Sequence, residues 1–138
     1  MQNVTRLFDF PYYQLENYNL PDALVTKYGN DWIKTSTQEY LDKANALSRA
    51  LLNIGVEKND KIAIISSNNR TEWHISDIGI LQTGAQNVPM YPTISAEDYE
   101  YILNHSEAKY CFVSDQEAVS YTHLRAHETG RNLVCRLL

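Results

Sequence analysis

Short apolar segments separated by helical patterns place the strongest constraint on the fold of this chain. Lys61-Ile-Ala-Ile-Ile65 and Lys109-Tyr-Cys-Phe-Val113 are almost continuously apolar, which is typical of strands covered on both faces of a sheet. Asn87–Tyr91 predicts a further short strand, and Pro89 is expected at a strand end or on an edge because it has no amide hydrogen to donate. Strands that alternate with helices predict a parallel sheet with right-handed crossovers.

Three helices are predicted from their start signals and apolar spacing. Ser36-Thr-Gln-Glu39 has the form of a capping box, and Gly55 stands where a left-handed C-cap belongs. Asn69 predicts the start of the second helix, and Ser95 the start of the third. The residues expected to face inward are Tyr40, Ala44, Leu47, Leu51 and Ile54, then Trp73, Ile78 and Leu81, then Tyr99, Ile102 and Leu103.

The part of the chain before the first helix predicts a β-hairpin, because two β-prone runs flank the turn Tyr28-Gly-Asn-Asp31. Residues 1–22 are aromatic and turn-rich, and we expect a lead-in that lies across a surface absent from this chain. The predicted fold class is therefore α/β, an incomplete parallel sheet with helical crossovers preceded by a β-hairpin. Three core strands leave exposed sheet edges, which favours a piece of a larger protein.

The last twenty residues resemble translated sequencing-library adapter rather than natural protein. Val119–Thr129 matches one reading frame of a transposase-type adapter, and Leu133–Leu138 matches the constant sequence after its sample index. Gly130–Asn132 lies where a variable index would be translated. We therefore expect residues 1–118 to be a truncated domain part and residues 119–138 to be an adapter-derived artefact, not a domain.

Charge and cysteine content limit the partners and the compartment. The chain has 12 basic and 17 acidic residues, a net charge of −5, which argues against nucleic acid as a partner. Residues 1–118 contain one cysteine, Cys111, so an internal disulfide is excluded and a reducing, cytoplasmic location is expected. The start of the chain lacks the pattern of a signal peptide, and no apolar run is long enough for a transmembrane segment. Peripheral membrane contact stays open.

Ordered sequence motifs resemble the adenylate-forming (AMP-binding) enzymes. The resemblance covers residues 23–117. Within the family, the Glu72-Trp73 pair favours the branch of long-chain fatty acid–CoA ligases. Asn59 departs from the family, which more often has glycine there; asparagine also accepts left-handed geometry. The motifs are Gly55–Asp60, Lys61–Asn68, Asn69–Trp73, Gly84-Ala85, Val88–Ser95, Tyr101–Ala108 and Cys111–Asp115.

The resemblance implies a ligase that uses ATP, Mg²⁺ and coenzyme A to convert a fatty acid to acyl-AMP and then to acyl-CoA. Such chemistry requires fixed donors for developing oxyanions. The family's phosphate loop and its lysine-bearing lid have no counterpart in 1–118, where the glycines are scattered. We therefore predict no catalytic, cofactor-binding or metal-binding residue in this chain, no binding of these cofactors by the fragment, and an inactive fragment whose partner is the missing remainder of its own chain.

Several residues suggest sites but have simpler structural interpretations. His123 and His127, with Glu128 and Cys135, imitate a zinc site but fall in the adapter-like segment. His74 and His105 are single histidines for which we expect structural or surface roles. Glu97, Asp98 and Glu100 fit the first turn of a helix, where negative charge is favourable. Asn68 is the most interesting position, because ligands of parallel α/β sheets bind at the carboxyl ends of strands. We nevertheless expect a structural turn there, since asparagine often caps helices.

Two alternative functions remain open at this level. In the first, the chain would be a small stand-alone α/β binding or interaction protein, and in the second it would be part of another acid-adenylating enzyme of the same superfamily. A genuine stop codon near residue 138 would favour the first alternative. The substrate pocket, which the resemblance places beyond this chain, would decide the second.

Overall fold

The computed structural model describes residues 4–114 and the backbone of a strand at Val134–Leu137. The chain divides into two compact units. The first comprises Met1–Glu57 and Asn69–Gly84, and the second comprises Lys58–Asn68 and Ala85–Leu138. The His123/His127 group lies outside the described residues.

The described part of the first unit consists of a 3-10 helix at Leu7–Asp9, three α-helices and a hairpin. Its elements are α1 (Phe10–Tyr18), β1 (Leu24–Tyr28), β2 (Asp31–Thr35), α2 (Thr37–Asn53) and α3 (Thr71–Gln82). β1 and β2 pair antiparallel, which confirms the predicted hairpin. Gly29 has a φ of 59°, as the tight connection requires.

Helix α2 begins and ends where its sequence signals predict. The Ser36 hydroxyl accepts a hydrogen bond from the Glu39 amide at 3.2 Å, and the Glu39 carboxylate accepts one from the Ser36 amide at 2.8 Å. Gly55 follows the helix with a φ of 88°. The inward face was predicted correctly for Tyr40, Ala44 and Leu51, but Ile54 is 43% exposed because it lies beyond the last helical residue.

Two expectations about the first unit were wrong. The aromatic lead-in includes α1 and packs within the chain: Phe8 contacts the buried cluster of Tyr40, Ala44 and Ile78. Helix α3 is preceded by Arg70 rather than Asn69 as its N-cap residue. The amide of Thr71 donates instead to Thr26 Oγ1 of the hairpin, a long-range partner that the local sequence does not reveal.

Among its described residues, the second unit contains a parallel sheet and one helix. Its elements are β3 (Lys61–Ile65), β4 (Gln86–Met90), α4 (Ala96–Ser106), β5 (Tyr110–Val113) and β6 (Val134–Leu137). The strand order is β4-β3-β5-β6, and every pairing is parallel. Pro89 lies on the edge strand β4, as predicted. Tyr99 of α4 is buried in a cluster with residues of β3, β4 and β5.

Strand β6 is the main departure from the predicted sheet. We expected three core strands, and a fourth forms within the adapter-like segment, where Val134 pairs with Tyr110 and Leu137 with Val113. The unpaired amides and carbonyls of an edge strand are a template for any short β-prone segment, so the edge of β5 can recruit these residues whatever their origin. The derivation of residues 119–138 from an adapter remains a prediction.

Candidate functional site

The carboxyl ends of neighbouring parallel strands form the site at which an α/β sheet most often meets a ligand. Strand β3 leads into Ser66, Ser67 and Asn68, and β5 leads into Ser114. These four residues are called the carboxyl edge below. β3 and β5 are adjacent, so the two groups of polar residues meet although they are far apart in the sequence.

Hydrogen bonds connect the two halves of the carboxyl edge. The amide of Ser114 donates to the carbonyl oxygen of Ile65 at 3.0 Å, which continues the strand pairing by one residue. The amide of Ser67 then donates to Ser114 Oγ at 3.0 Å. The hydroxyls of Ser67 and Ser114 lie 3.4 Å apart. The edge therefore presents hydroxyl groups held by backbone geometry.

The turn after β3 is shaped by its own side chains. The Ser66 hydroxyl donates to the carbonyl oxygen of Asn68 at 2.6 Å, and Asn68 itself is exposed. Such local bonds are typical of serine in turns and account for the bend without any ligand. The turn interpretation of this segment is thus supported, while the position of Asn68 beside the paired serines keeps it in the candidate site.

The chemistry available at the carboxyl edge is neutral. Serine hydroxyls and an asparagine amide can donate to or accept from a ligand, but none is charged near pH 7. No group of three or more histidine, cysteine or carboxylate side chains that could hold a metal ion occurs among the described residues. The arrangement is suited to binding and orienting a ligand, and supplies no general base to activate a nucleophile.

The single histidines occupy surface positions. His74 is exposed and lies edge-on to the Trp73 ring, with a centroid distance of 5.4 Å. His105 is exposed and stacks on Tyr101 at 5.5 Å. The expected surface roles are confirmed by this placement.

The acidic residues at the start of α4 stabilise the amino terminus of that helix. Ser95 Oγ accepts from the Asp98 amide at 3.1 Å and donates to the Asp98 carboxylate at 2.7 Å. Glu97 stands exposed in the same first turn, where negative charge stabilises the helix dipole. The expected structural role is therefore confirmed for Asp98, which bonds to the N-cap residue Ser95.

Sequence reasoning singled out Asn68 but missed the serines beside it. A serine directly after each buried strand is a visible signal, yet it becomes informative only once β3 and β5 are known to be neighbours. A second arrangement that went unnoticed is the contact between the Tyr28 hydroxyl and the Glu72 carboxylate, which lie 2.5 Å apart. These residues are separated by more than forty positions, and no local pattern links them.

The fold and the carboxyl edge define an α/β protein with a candidate ligand site at the carboxyl ends of its parallel strands. A model of the AMP-binding enzyme family matches residues 14–136. The chain belongs to this family, and the resemblance seen in its motifs is confirmed.

Curated relatives point to one branch of the family. The chain is 30% identical over 95 residues to the long-chain-fatty-acid–CoA ligase ACSBG2 of Xenopus laevis, an alignment covering 69% of this chain and 13% of that protein. It is 35% identical over 94 residues to the long-chain-fatty-acid–CoA ligase FadD15 of Mycobacterium bovis, covering 67% of this chain and 16% of that protein. The chain thus spans a small fraction of the length of the curated relatives it matches.

Solved structures support the fold. The anthranilate CoA ligase AuaEII, in complex with anthranoyl-AMP, superposes with a TM-score of 0.73 at 21% identity, covering 94% of this chain and 24% of that one. The N-terminal subdomain of NpsA from Klebsiella oxytoca gives a TM-score of 0.70 at 19% identity, covering 95% of this chain and 30% of that one. The predicted α/β fold class, with its hairpin and parallel sheet, is confirmed.

Proposed function

We propose that this chain is the amino-terminal part of a longer enzyme that activates a long-chain fatty acid with ATP and transfers the acyl group to coenzyme A. The observation that carries this proposal is the match to long-chain-fatty-acid–CoA ligases over two thirds of the chain, at 30% and 35% identity. The same alignments cover 13% and 16% of those proteins, which supports a missing remainder.

The proposed reaction has two steps. A fatty-acid carboxylate oxygen attacks the α-phosphorus of ATP, a new P–O bond forms, and pyrophosphate leaves with the electrons of the broken P–O bond. The thiol sulfur of coenzyme A, having lost its proton, then attacks the acyl carbon and expels AMP. Both steps concentrate negative charge on oxygen atoms, and fixed donors stabilise that charge.

The contribution of this chain would be scaffolding and ligand orientation rather than bond-making. The carboxyl edge offers neutral hydroxyl donors, and we assign no catalytic residue to the chain. Mg²⁺ and coenzyme A belong to the proposal for the complete enzyme. We propose that the remainder of the enzyme holds the metal together with the phosphates of ATP, because Mg²⁺ is usually bound through one or two carboxylates plus substrate phosphates.

The first test is a long read of the source DNA across the codon for Ala118. A reading frame that continues into a Ser/Thr/Gly-rich loop and several hundred further codons would support the proposal. A genome that encodes residues 119–138 and then stops would contradict it, and a small stand-alone binding protein would become the leading interpretation.

The second test measures activity directly. The complete gene product and the 138-residue chain are assayed side by side for fatty-acid-dependent exchange of pyrophosphate into ATP and for formation of acyl-CoA. We expect both activities in the complete protein and neither in the fragment. Adenylation by the purified fragment above a mock preparation would overturn its assignment as inactive.

A different acid substrate is the second candidate for the complete enzyme. The chain is also 36% identical over 80 residues to the nonribosomal peptide synthetase NPS2 of Ceriporiopsis subvermispora, covering 58% of this chain and 3% of that protein. A panel of fatty, aryl and amino acids in the exchange assay separates the two. Preference for a C16 or C18 fatty acid supports the first candidate.

We further propose a cytoplasmic enzyme that contacts membranes peripherally, since its proposed substrate partitions into lipid. Among the described residues, no helix is long and apolar enough to cross a bilayer. Flotation of the complete protein with liposomes tests the contact, and release by high salt would indicate peripheral attachment.

A further inference from the structure

The β1–β2 hairpin turns one face towards the helices of the first unit and the other face outward. Strand pairing places Lys27 opposite Trp32 and Val25 opposite Lys34, so these four side chains share one face. The alternate face is buried at Thr26, whose hydroxyl oxygen accepts a hydrogen bond from the start of α3. The outward hairpin face is defined below as Val25, Lys27, Trp32 and Lys34.

The outward hairpin face combines apolar surface with positive charge. Trp32 is 64% exposed and Val25 is 44% exposed. Lys27 Nζ lies 5.7 Å from the centre of the Trp32 ring, a cation–π contact at an exposed position. Lys34 Nζ pairs with the Asp22 carboxylate at 3.2 Å, and both side chains are exposed. None of the four residues of the face is acidic, although the chain as a whole has a net charge of −5.

This combination of side chains fits the boundary between a lipid bilayer and water. Tryptophan is enriched there because its ring is apolar and its N–H is polar, and lysine can bury its alkyl stem while its ammonium group reaches the lipid phosphates. An exposed ion pair contributes little stability, so Lys34 can exchange Asp22 for a phosphate. Charge complementarity therefore favours an anionic lipid surface. Nucleic acid fits less well, because the chain is acidic and the face offers a single ring for stacking.

We propose that the outward hairpin face is the surface through which this chain contacts a bilayer containing anionic phospholipids. The Trp32 ring lies among the headgroups, and Lys27 and Lys34 reach the phosphates. The inference rests on the peripheral membrane contact proposed above for the complete enzyme, and adds the contacting residues and the charge of the lipid. Each lysine near an anionic surface strengthens binding about fivefold, so the contact is weak, reversible and sensitive to salt.

The first experiment follows the fluorescence of Trp32 in the 138-residue chain. Trp73→Phe leaves Trp32 as the only tryptophan, since the chain contains two. This variant is titrated with vesicles of phosphatidylcholine alone and with vesicles of phosphatidylcholine and phosphatidylglycerol in equal parts. With the mixed vesicles we expect a saturable blue shift of the emission that high salt reverses. Phosphatidylcholine alone should bind at least about fivefold more weakly.

The second experiment measures flotation of the complete gene product with the same vesicles. Lys27→Glu reverses one charge of the outward hairpin face and should weaken binding about tenfold or more. Lys58→Glu is the matched control, because it makes the same change of charge at an exposed residue between α2 and β3, and its effect should be much smaller. Trp32→Ala, which removes the largest apolar group of the face, should also weaken binding.

Several outcomes would overturn the proposal. Equal affinity for the two kinds of vesicle would exclude a preference for anionic lipid. Equal effects of Lys27→Glu and Lys58→Glu would show that net charge, not the outward hairpin face, governs binding. Undiminished flotation of Trp32→Ala would place the contact on another surface, as it would if the rest of the protein covered the hairpin.

The complete gene product decides the case even if the 138-residue chain does not fold. A gene product that never floats would overturn this inference together with the proposed membrane contact. The proposed ligase reaction is judged separately, because the exchange of pyrophosphate into ATP is measured without vesicles. Failure of the one proposal is thus distinguishable from failure of the other.

Discussion

Gly79 of α3 lies against Leu47 of α2 so closely that a Cβ atom on Gly79 would be 2.9 Å from Leu47 Cδ2 and 3.1 Å from Leu47 Cβ. The neighbouring Ser48 hydroxyl donates to the carbonyl oxygen of Gly79 at 2.9 Å. The two helices therefore approach each other at a point where one has no side chain and the other bonds to its backbone. This contact sets the spacing of the helix pair in the first unit.

Replacement of Gly79 by alanine should lower the free energy of unfolding by about 1 kcal/mol. Alanine gains about 1 kcal/mol of helix propensity, but overpacking at a close contact costs 1–3 kcal/mol, and Leu47 Cβ cannot move without its backbone. Urea unfolding measures the difference. In the Leu47→Ala background, which removes Cγ and Cδ2 but keeps Cβ, the same change should cost less than in the original chain. An equal loss in both backgrounds would mean that the clash is not the cause.

Gly79 also shows why part of this fold could not be predicted from the sequence. The cap of α2 depends on Ser36 and Glu39. Because these residues are only three positions apart, the sequence pattern was enough to predict the cap. Gly79 looked like a scattered glycine, because its partner lies thirty-two residues earlier on another helix. Local chemistry thus predicted the helix ends and the hairpin, whereas long-range packing decided the roles of Gly79 and of the Thr26–Thr71 pair.

The candidate site, like the fold, was predictable where local sequence rules apply and not where distant residues meet. Asn68 was singled out by the rule for parallel sheets although a structural turn was expected there, and the pairing of the neighbouring serines required the strand order β4-β3-β5. Asn59 was correctly expected to tolerate left-handed geometry, and its φ is 70°. The contact between Tyr28 and Glu72 had no sequence signal, because β1 and α3 come close only in the folded unit.

Loss of the α2 cap should have a measurable cost. Ser36→Ala removes the acceptor for the Glu39 amide and should lower the free energy of unfolding by about 1 kcal/mol. Gln38→Ala, on the exposed surface of the same turn, is the matched control and should change stability by less than about 0.5 kcal/mol. Thermal unfolding followed at 222 nm provides the comparison. Equal Tm values for the two variants would contradict the capping role.

The same cap predicts a dependence on pH. Hydrogen bonds from the Ser36 amide and hydroxyl hold the pKa of Glu39 below its ordinary value. A carboxylate with a lowered folded pKa contributes stability that is present above its unfolded pKa and is lost as the pH falls through the folded value. Glu39→Gln should therefore reduce the loss of stability below about pH 4. Glu97→Gln is the control carboxylate, and an acid profile changed equally by both would argue against the cap.

Tyr40 predicts a loss of stability in base. Burial, with a smaller effect from the charge of Asp77, raises the pKa of Tyr40 to about 12. The raised pKa means that its contribution is intact below the unfolded value near 10 and is lost as the pH rises towards 12. Tyr40→Phe should flatten the stability profile between these values by about 2 kcal/mol. Tyr101→Phe, at a position that is 66% exposed, should leave the profile unchanged. A wild-type slope retained in Tyr40→Phe would assign the loss to other groups.

Removal of residues 119–138 should increase self-association of the chain. Strand β5 pairs on one side with β3 and on the other with β6, so truncation at Ala118 would leave one edge of β5 without a partner. An unpaired edge next to a buried apolar strand is a template for pairing between molecules. We expect the truncated chain to elute as larger species in gel filtration with light scattering. Cys135→Pro in the 138-residue chain removes an amide hydrogen from β6 and should likewise increase self-association. A truncated chain that remains a monomer and unfolds cooperatively would show that β6 does not protect this edge.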